Sequence, residues 1–178
     1  DPANVLLLTA EDGLADTVSP RIRAAQGDAS KMFALSEVFK DGKEVAITLT
    51  DALPQIAQAV REQHIGLIVV DVLMSFLGSD TNGYKGQDIR AQVMAPLKRL
   101  CEETGCTVIA LRHLNKGQGA AIYRGGGSIG VVGAARAAFL MAKDPENGEQ
   151  RLFAPVKFNL GPMPRALAYR LEGNPLLG

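Results

Sequence analysis

Short uninterrupted apolar runs alternating with helical periodicity, followed by three consecutive strand-like runs, predict an α/β fold. Its sheet is expected to be parallel in the centre, flanked by helices, and extended by antiparallel strands at the C-terminal end. The core composition agrees: there is no Trp and only 5% aromatic residues, which leaves Val, Ile, Leu and Ala, the residues of buried parallel strands and the helices that cover them. At 178 residues and 47% hydrophobic, the chain is the size of one domain, and residues 1–178 are read as a single core.

Taken in order, Val5 to Thr9 is a continuous apolar run that reads as a buried strand ending at Ala10-Glu11-Asp12. A short helix follows, with Asp16 or Thr17 as its cap, Pro20 in its first turn and Gly27 at its end. Met32 to Val38 and Glu44 to Leu49 flank Asp41-Gly42, a dipeptide suited to a hairpin turn, and predict two short strands. Asp51 is expected to cap a helix through Gln63, with Leu53, Ile56, Ala57 and Val60 on one face. Leu67 to Asp71 is the clearest strand, and Ser79 to Gln87, polar and carrying Gly83 and Gly86, is expected to be a loop. Asp88 to Glu103 has helical spacing (Ile89, Val93, Leu97, Leu100), a kink expected at Pro96 and a stop at Gly105. Cys106 to Leu111 is another buried strand, ending at Arg112-His113. Six glycines fall between residues 115 and 130, which predicts a loop. Ala135 to Ala142, Arg151 to Phe158 and Ala166 to Leu171 complete the set of strands, the first two joined by a turn at residues 144–148.

Several classes are excluded or disfavoured by composition. No apolar run approaches the roughly 20 residues a membrane span needs, and no signal-like segment opens the chain. Two cysteines, Cys101 and Cys106, are too few for a disulfide framework or a zinc site, so a reducing, cytoplasmic environment is expected. The formal charge is zero but uneven: residues 1–60 carry nine acids and five bases, residues 85–136 eight bases and three acids. Such a basic middle suits phosphate or nucleic acid as well as it suits a solvated helix face. A strand beginning almost at once after Asp1 leads us to expect a piece cut from within a domain.

The chemistry-bearing residues lie where three buried strands end: Glu11 and Asp12 after the first, Asp71 after the second, His113 after the third. In a parallel sheet these ends share one edge, where ligands gather. One carboxylate there can orient water, another can hold a hydrated Mg²⁺, and an imidazole can sense a phosphate. Singly, each is as well explained as a turn-former or a structural hydrogen-bonding residue; the common edge is what favours the site.

Four segments, residues 5–12, 67–71, 111–117 and 156–162, resemble in order and spacing successive blocks of the RecA-like AAA-type ATPases, in particular those related to plasmid RepA replicative helicases. The resemblance spans nearly the whole chain. It implies a RecA-like sheet, ATP and Mg²⁺ as cofactors, Asp71 as the Walker B aspartate with Asp12 beside the cofactor, Glu11 as the carboxylate that polarises attacking water, and His113 as the sensor. Lys157 and Arg136 resemble the basic residues that reach a neighbouring subunit's γ-phosphate in a ring, which implies a homo-oligomer. Two loops carrying Lys85, Lys116, Tyr123 and Arg124 correspond to those facing a channel for DNA, expected to be single-stranded, with cations on phosphates and Tyr123 stacked on a base.

One departure matters. No G-x-x-x-x-G-K-[ST] occurs in the sequence, so the phosphate grip of such enzymes is missing. In that family the motif precedes the strand with which this chain opens. The expectation is an N-terminally truncated, helicase-like ATPase core acting in DNA replication or recombination, weak or inactive as this chain. The alternative is a non-catalytic binding or assembly module that kept the fold.

Overall fold

The structure is a computed structural model and describes residues 2–35, 38–40, 43–45, 47–78, 86–114 and 129–173. Four parallel strands form the central sheet in the order β2-β1-β5-β6: β1 (Asn4–Thr9), β2 (Met32–Leu35), β5 (Ile65–Asp71) and β6 (Thr107–Ala110). β1 lies between β2 and β5, pairing Leu8 with Leu35 on one side and with Val70 on the other. The hairpin β3 (Val38–Lys40) and β4 (Lys43–Val45) is separate. The expected antiparallel strands are present as their own sheet, β7 (Ala137–Lys143), β8 (Gln150–Phe158) and β9 (Leu167–Arg170), in that order. Met32 to Leu35, expected in the hairpin, instead joins the central sheet, because its apolar side chains extend the apolar surface of β1.

The helices follow the amphipathic pattern with local corrections. A π-helical turn, Leu14–Val18, runs into α1 (Ser19–Ala24) with Pro20 in its first turn. Asp16 and Thr17 therefore lie inside the turn rather than capping it. α2 (Leu49–Glu62) is capped by Thr48, not Asp51. Thr48 Oγ1 accepts the Asp51 N–H at 3.2 Å and donates to Asp51 Oδ2 at 2.8 Å, a reciprocal arrangement that satisfies a free N–H of the first turn. The expected helix from Asp88 is three pieces: α3 (Gly86–Ile89), a π-helical turn (Arg90–Met94) and α4 (Ala95–Thr104). Pro96 falls at the start of α4, directly after the π-helical turn; Met94 and Ala95 keep helical backbone angles, so the chain stays helical across the proline and the irregularity takes the form of the widened turn just upstream. Gly105 closes α4 at φ 75°, a conformation glycine adopts without strain. α5 (Ile129–Ala134) takes in Ile129 and Gly130, expected in the glycine-rich loop. Residues 115–128 and the 41–42 turn lie outside the described residues, as do residues 79–85 of the other expected loop.

The core sits on one face of the central sheet. Leu6, Leu8, Ile68 and Val70 point into it and meet Ala52, Ile56 and Val60 of α2 and Leu97 and Leu100 of α4. The opposite face is less covered: Leu7 and Val69, in register with each other, are only half-buried, and Ile109 in register with Val69 is 50% exposed. α2 reaches 14 residues and no helix among the described residues is long and apolar enough to cross a membrane.

Candidate functional site

The carboxyl ends of β1, β5 and β6 meet at one edge, held there by main-chain bonds beyond the strands themselves. The Ala10 N–H donates to the Asp71 carbonyl at 3.3 Å, Leu111 to Val70 at 2.9 Å, and Leu73 to Leu111 at 2.8 Å. The chain thus leaves all three strands from fixed positions, and the polar residues that follow are delivered together.

At this edge Glu11, Asp12, Asp71 and His113 form one electrostatic group. His113 Nε2 lies 3.4 Å from Glu11 Oε2 across the end of β5. The Asp71 carboxyl is pushed above the usual range, first by partial burial and then by the charges of Glu11 and Asp12; His113 and Arg21 act in the opposite sense. The Asp71–Val72 peptide bond is cis.

Two members of the site are not evident in the sequence. Arg21, on α1, donates from Nη1 to Asp12 Oδ2 at 2.6 Å. Its only sequence signal is a cation in the helix leading away from a strand that ends in carboxylates. Thr9, 4% exposed at the end of β1, accepts the Asp12 N–H at 3.4 Å and helps set the turn that carries Asp12. Its polarity at the close of an apolar run is a signal that strand prediction passes over.

Lys157 and Arg136 belong to the antiparallel sheet and its approach from α5. Lys157 Nζ donates to the carbonyls of Val132 at 3.0 Å, Gly133 at 2.7 Å and Ala135 at 2.7 Å. All of its ammonium protons are thereby spent on the end of α5, and in this conformation they are not offered to the carboxylate edge. Arg136 follows α5; its carbonyl accepts the Asn159 N–H at 2.9 Å, joining the entry of β7 to the exit of β8. Lys85, Lys116, Tyr123 and Arg124 lie outside the described residues. The concave surface between α2 and α4, about 320 Å³ and floored by Leu53, Ala57 and Leu100, shares no residue with the carboxylate edge.

A parallel α/β sheet with acids and an imidazole converging at its carboxyl edge defines the class of RecA-like α/β nucleotide-binding folds. Residues 1–119 match the AAA domain family, and the chain belongs to it: it is an ATPase-type domain. No curated protein matches the chain significantly. AAA-type domains bind nucleotide, generally with Mg²⁺. The donor set here fits that ion: in nucleotide sites Mg²⁺ takes one or two carboxylates and completes its shell with phosphates and water. Among the described residues no three His, Cys, Asp or Glu side chains are placed to enclose a metal by themselves, whereas the half-buried Asp71 leaves an open side for such a shared shell.

Proposed function

We propose that the chain is the core of a RecA-like ATP-hydrolysing motor that acts on single-stranded DNA as a homo-oligomeric ring, in replication or recombination. The observation that carries this is the convergence of Glu11, Asp12, Asp71 and His113 at one sheet edge, with Asp71 responding to the charges of both other acids. Asp71 would hold a hydrated Mg²⁺, which when bound neutralises charge developing on the transferred phosphoryl group. Glu11 would accept a hydrogen bond from the attacking water and orient it. His113, in reach of Glu11, would couple the state of that carboxylate to the end of β6. Arg136 would serve the neighbouring subunit's site, and so would Lys157 once released from α5. The basic loops with Lys85, Lys116, Tyr123 and Arg124 would follow the DNA strand.

The phosphate grip would come from a strand and loop outside these 178 residues. Two observations support that part. Among the described residues β6 is the terminal strand of its sheet, with Ile109 50% exposed and Leu111 37% exposed along and just beyond it. β7, terminal in the other sheet, exposes Phe139 and Met141. Edges that carry no further strand among the described residues, and that bear apolar side chains, are what an added strand would cover.

Titration of the chain with a fluorescent ATP analogue, with and without Mg²⁺, tests the proposal. Weak binding that strengthens when a polypeptide carrying a glycine-rich phosphate loop is joined upstream, and that loses its Mg²⁺ dependence in Asp71→Asn, is the expected result. Mg²⁺-dependent binding unchanged by Asp71→Asn would overturn it.

A further inference from the structure

We propose that Arg21 is a positioning residue of this site: it is a built-in counter-cation that holds Asp12 and yields it when a divalent cation arrives. The inference rests on the metal-binding role given above to the carboxylate edge.

Three observations lead to it. Arg21 reaches back nine residues to make a 2.6 Å charge-assisted bond with Asp12. The intervening backbone is a π-helical turn that leads directly into α1, which carries Arg21: the Gly13 carbonyl accepts the N–H groups of both Thr17, at 3.1 Å, and Val18, at 3.0 Å. The pair is also poorly placed to stabilise the fold, since the two side chains are 70% and 36% exposed and such pairs contribute little.

The local balance explains what the guanidinium does. Glu11, Asp12 and Asp71 place three acids at one edge, faced by His113 and Arg21. Without a bound cation, Arg21 limits their mutual repulsion and keeps Asp12 directed toward α1. A divalent cation carries twice the charge and is repelled by Arg21, so the two compete for the same carboxylates. An exposed ion pair exchanges readily, which suits a group that must let go.

The test is Mn²⁺ binding to the 178-residue chain, followed by the loss of the free-ion electron paramagnetic resonance signal, with circular dichroism to verify folding. Arg21→Gln is expected to bind Mn²⁺ about three- to tenfold more tightly, the size of effect a unit charge exerts on a divalent ion several ångströms away in a wet site. Arg21→Lys should stay within about twofold of the parent chain, because charge rather than shape sets the competition. In an Asp12→Asn background the gain from Arg21→Gln should largely vanish. An equal gain in that background would show a general field effect and overturn the Asp12 grip. Binding that Asp71→Asn abolishes but Arg21→Gln does not tighten would overturn the role of Arg21 while leaving the metal site in place. Binding insensitive to Asp71→Asn, or no saturable binding by any variant, would overturn both.

Discussion

His113 Nε2 and Glu11 Oε2 approach to 3.4 Å although 102 residues separate them, and the strands that carry them are not neighbours in the sheet. Both side chains reach past the end of β5, the strand that closes on Asp71. With exposures of 75% and 51%, the pair adds little to stability. Its consequence is electrostatic, since Glu11 and His113 push the ionisation of Asp71 in opposite directions.

The titration of Asp71 follows from this. Partial burial comes first, then Glu11, then Asp12, in holding its carboxyl above the usual value. The folded chain therefore keeps a proton that the unfolded chain has already released. Stability contributed by this group is present below the ordinary carboxylate range and is lost as pH rises through the raised value. Glu11→Gln should move the Asp71 midpoint down toward an ordinary aspartate, as followed by carbon-detected NMR. His113→Ala should move it up. An unmoved midpoint in both variants would remove Glu11 and His113 from the site.

Lys157 links the antiparallel sheet to α5 through three charge-assisted bonds. The carbonyls at a helix C-terminus carry partial negative charge and otherwise lack partners, so a cation there satisfies several at once. Replacing it with Met keeps most of the stem and removes only the ammonium. We expect Lys157→Met to cost about 1.5–3 kcal/mol in urea unfolding, the range for bonds made by a charged group. A cost below about 0.5 kcal/mol would mean that the contact with α5 is dispensable, leaving the lysine free for another partner.

The fold was more legible than the site. Uninterrupted runs such as Leu67-Ile68-Val69-Val70 mark parallel strands because few other structures bury consecutive apolar side chains, and Gly105 marks the end of α4 because its backbone conformation favours glycine. The place of Met32 to Leu35 was not legible, because pairing with β1 is decided by long-range packing and the nearby Asp41-Gly42 gives a stronger local signal. In the site, carboxylates at strand ends are visible once the sheet is taken as parallel. Arg21 is not, since a cation on a short helix looks like any solvated residue until the π-helical turn brings it back to Asp12. For Lys157 the sequence offers no cue that its ammonium would be taken up by the end of α5.

Cys101 and Cys106 flank the turn between α4 and β6, one half-buried and the other buried. Burial first, then the proximity and hydrogen bonding of Cys106, push the Cys101 thiol up to about 11. Because the thiolate is the reactive form, Cys101 should be alkylated by iodoacetamide much more slowly at pH 8 than a peptide thiol. Cys106→Ala removes two of the raising contributions and should speed the reaction several-fold. Equal rates in both chains, measured by mass spectrometry, would show that burial alone governs Cys101.

The two faces of the central sheet should respond differently to truncation. Ile68 is fully buried, packed in the cluster that joins β1 and β5 to α2 and α4, so Ile68→Ala removes buried methyl groups and leaves a space that close-packed neighbours fill only partly. A cost of about 2–5 kcal/mol is expected. Val69, one residue on, faces the other way and is half-buried, with the exposed Ile109 beside it in register. Val69→Ala gives up less area and leaves no closed cavity, so about 1 kcal/mol or less is expected. Urea unfolding of both variants measures the contrast. Equal costs would mean that the second face is covered in solution, in which case the exposed apolar surface of Val69 and Ile109 is not available to a further element. If the contrast holds in this chain and narrows when a strand and helix are supplied upstream, the added element packs on the face where Val69 is half-buried and Ile109 exposed.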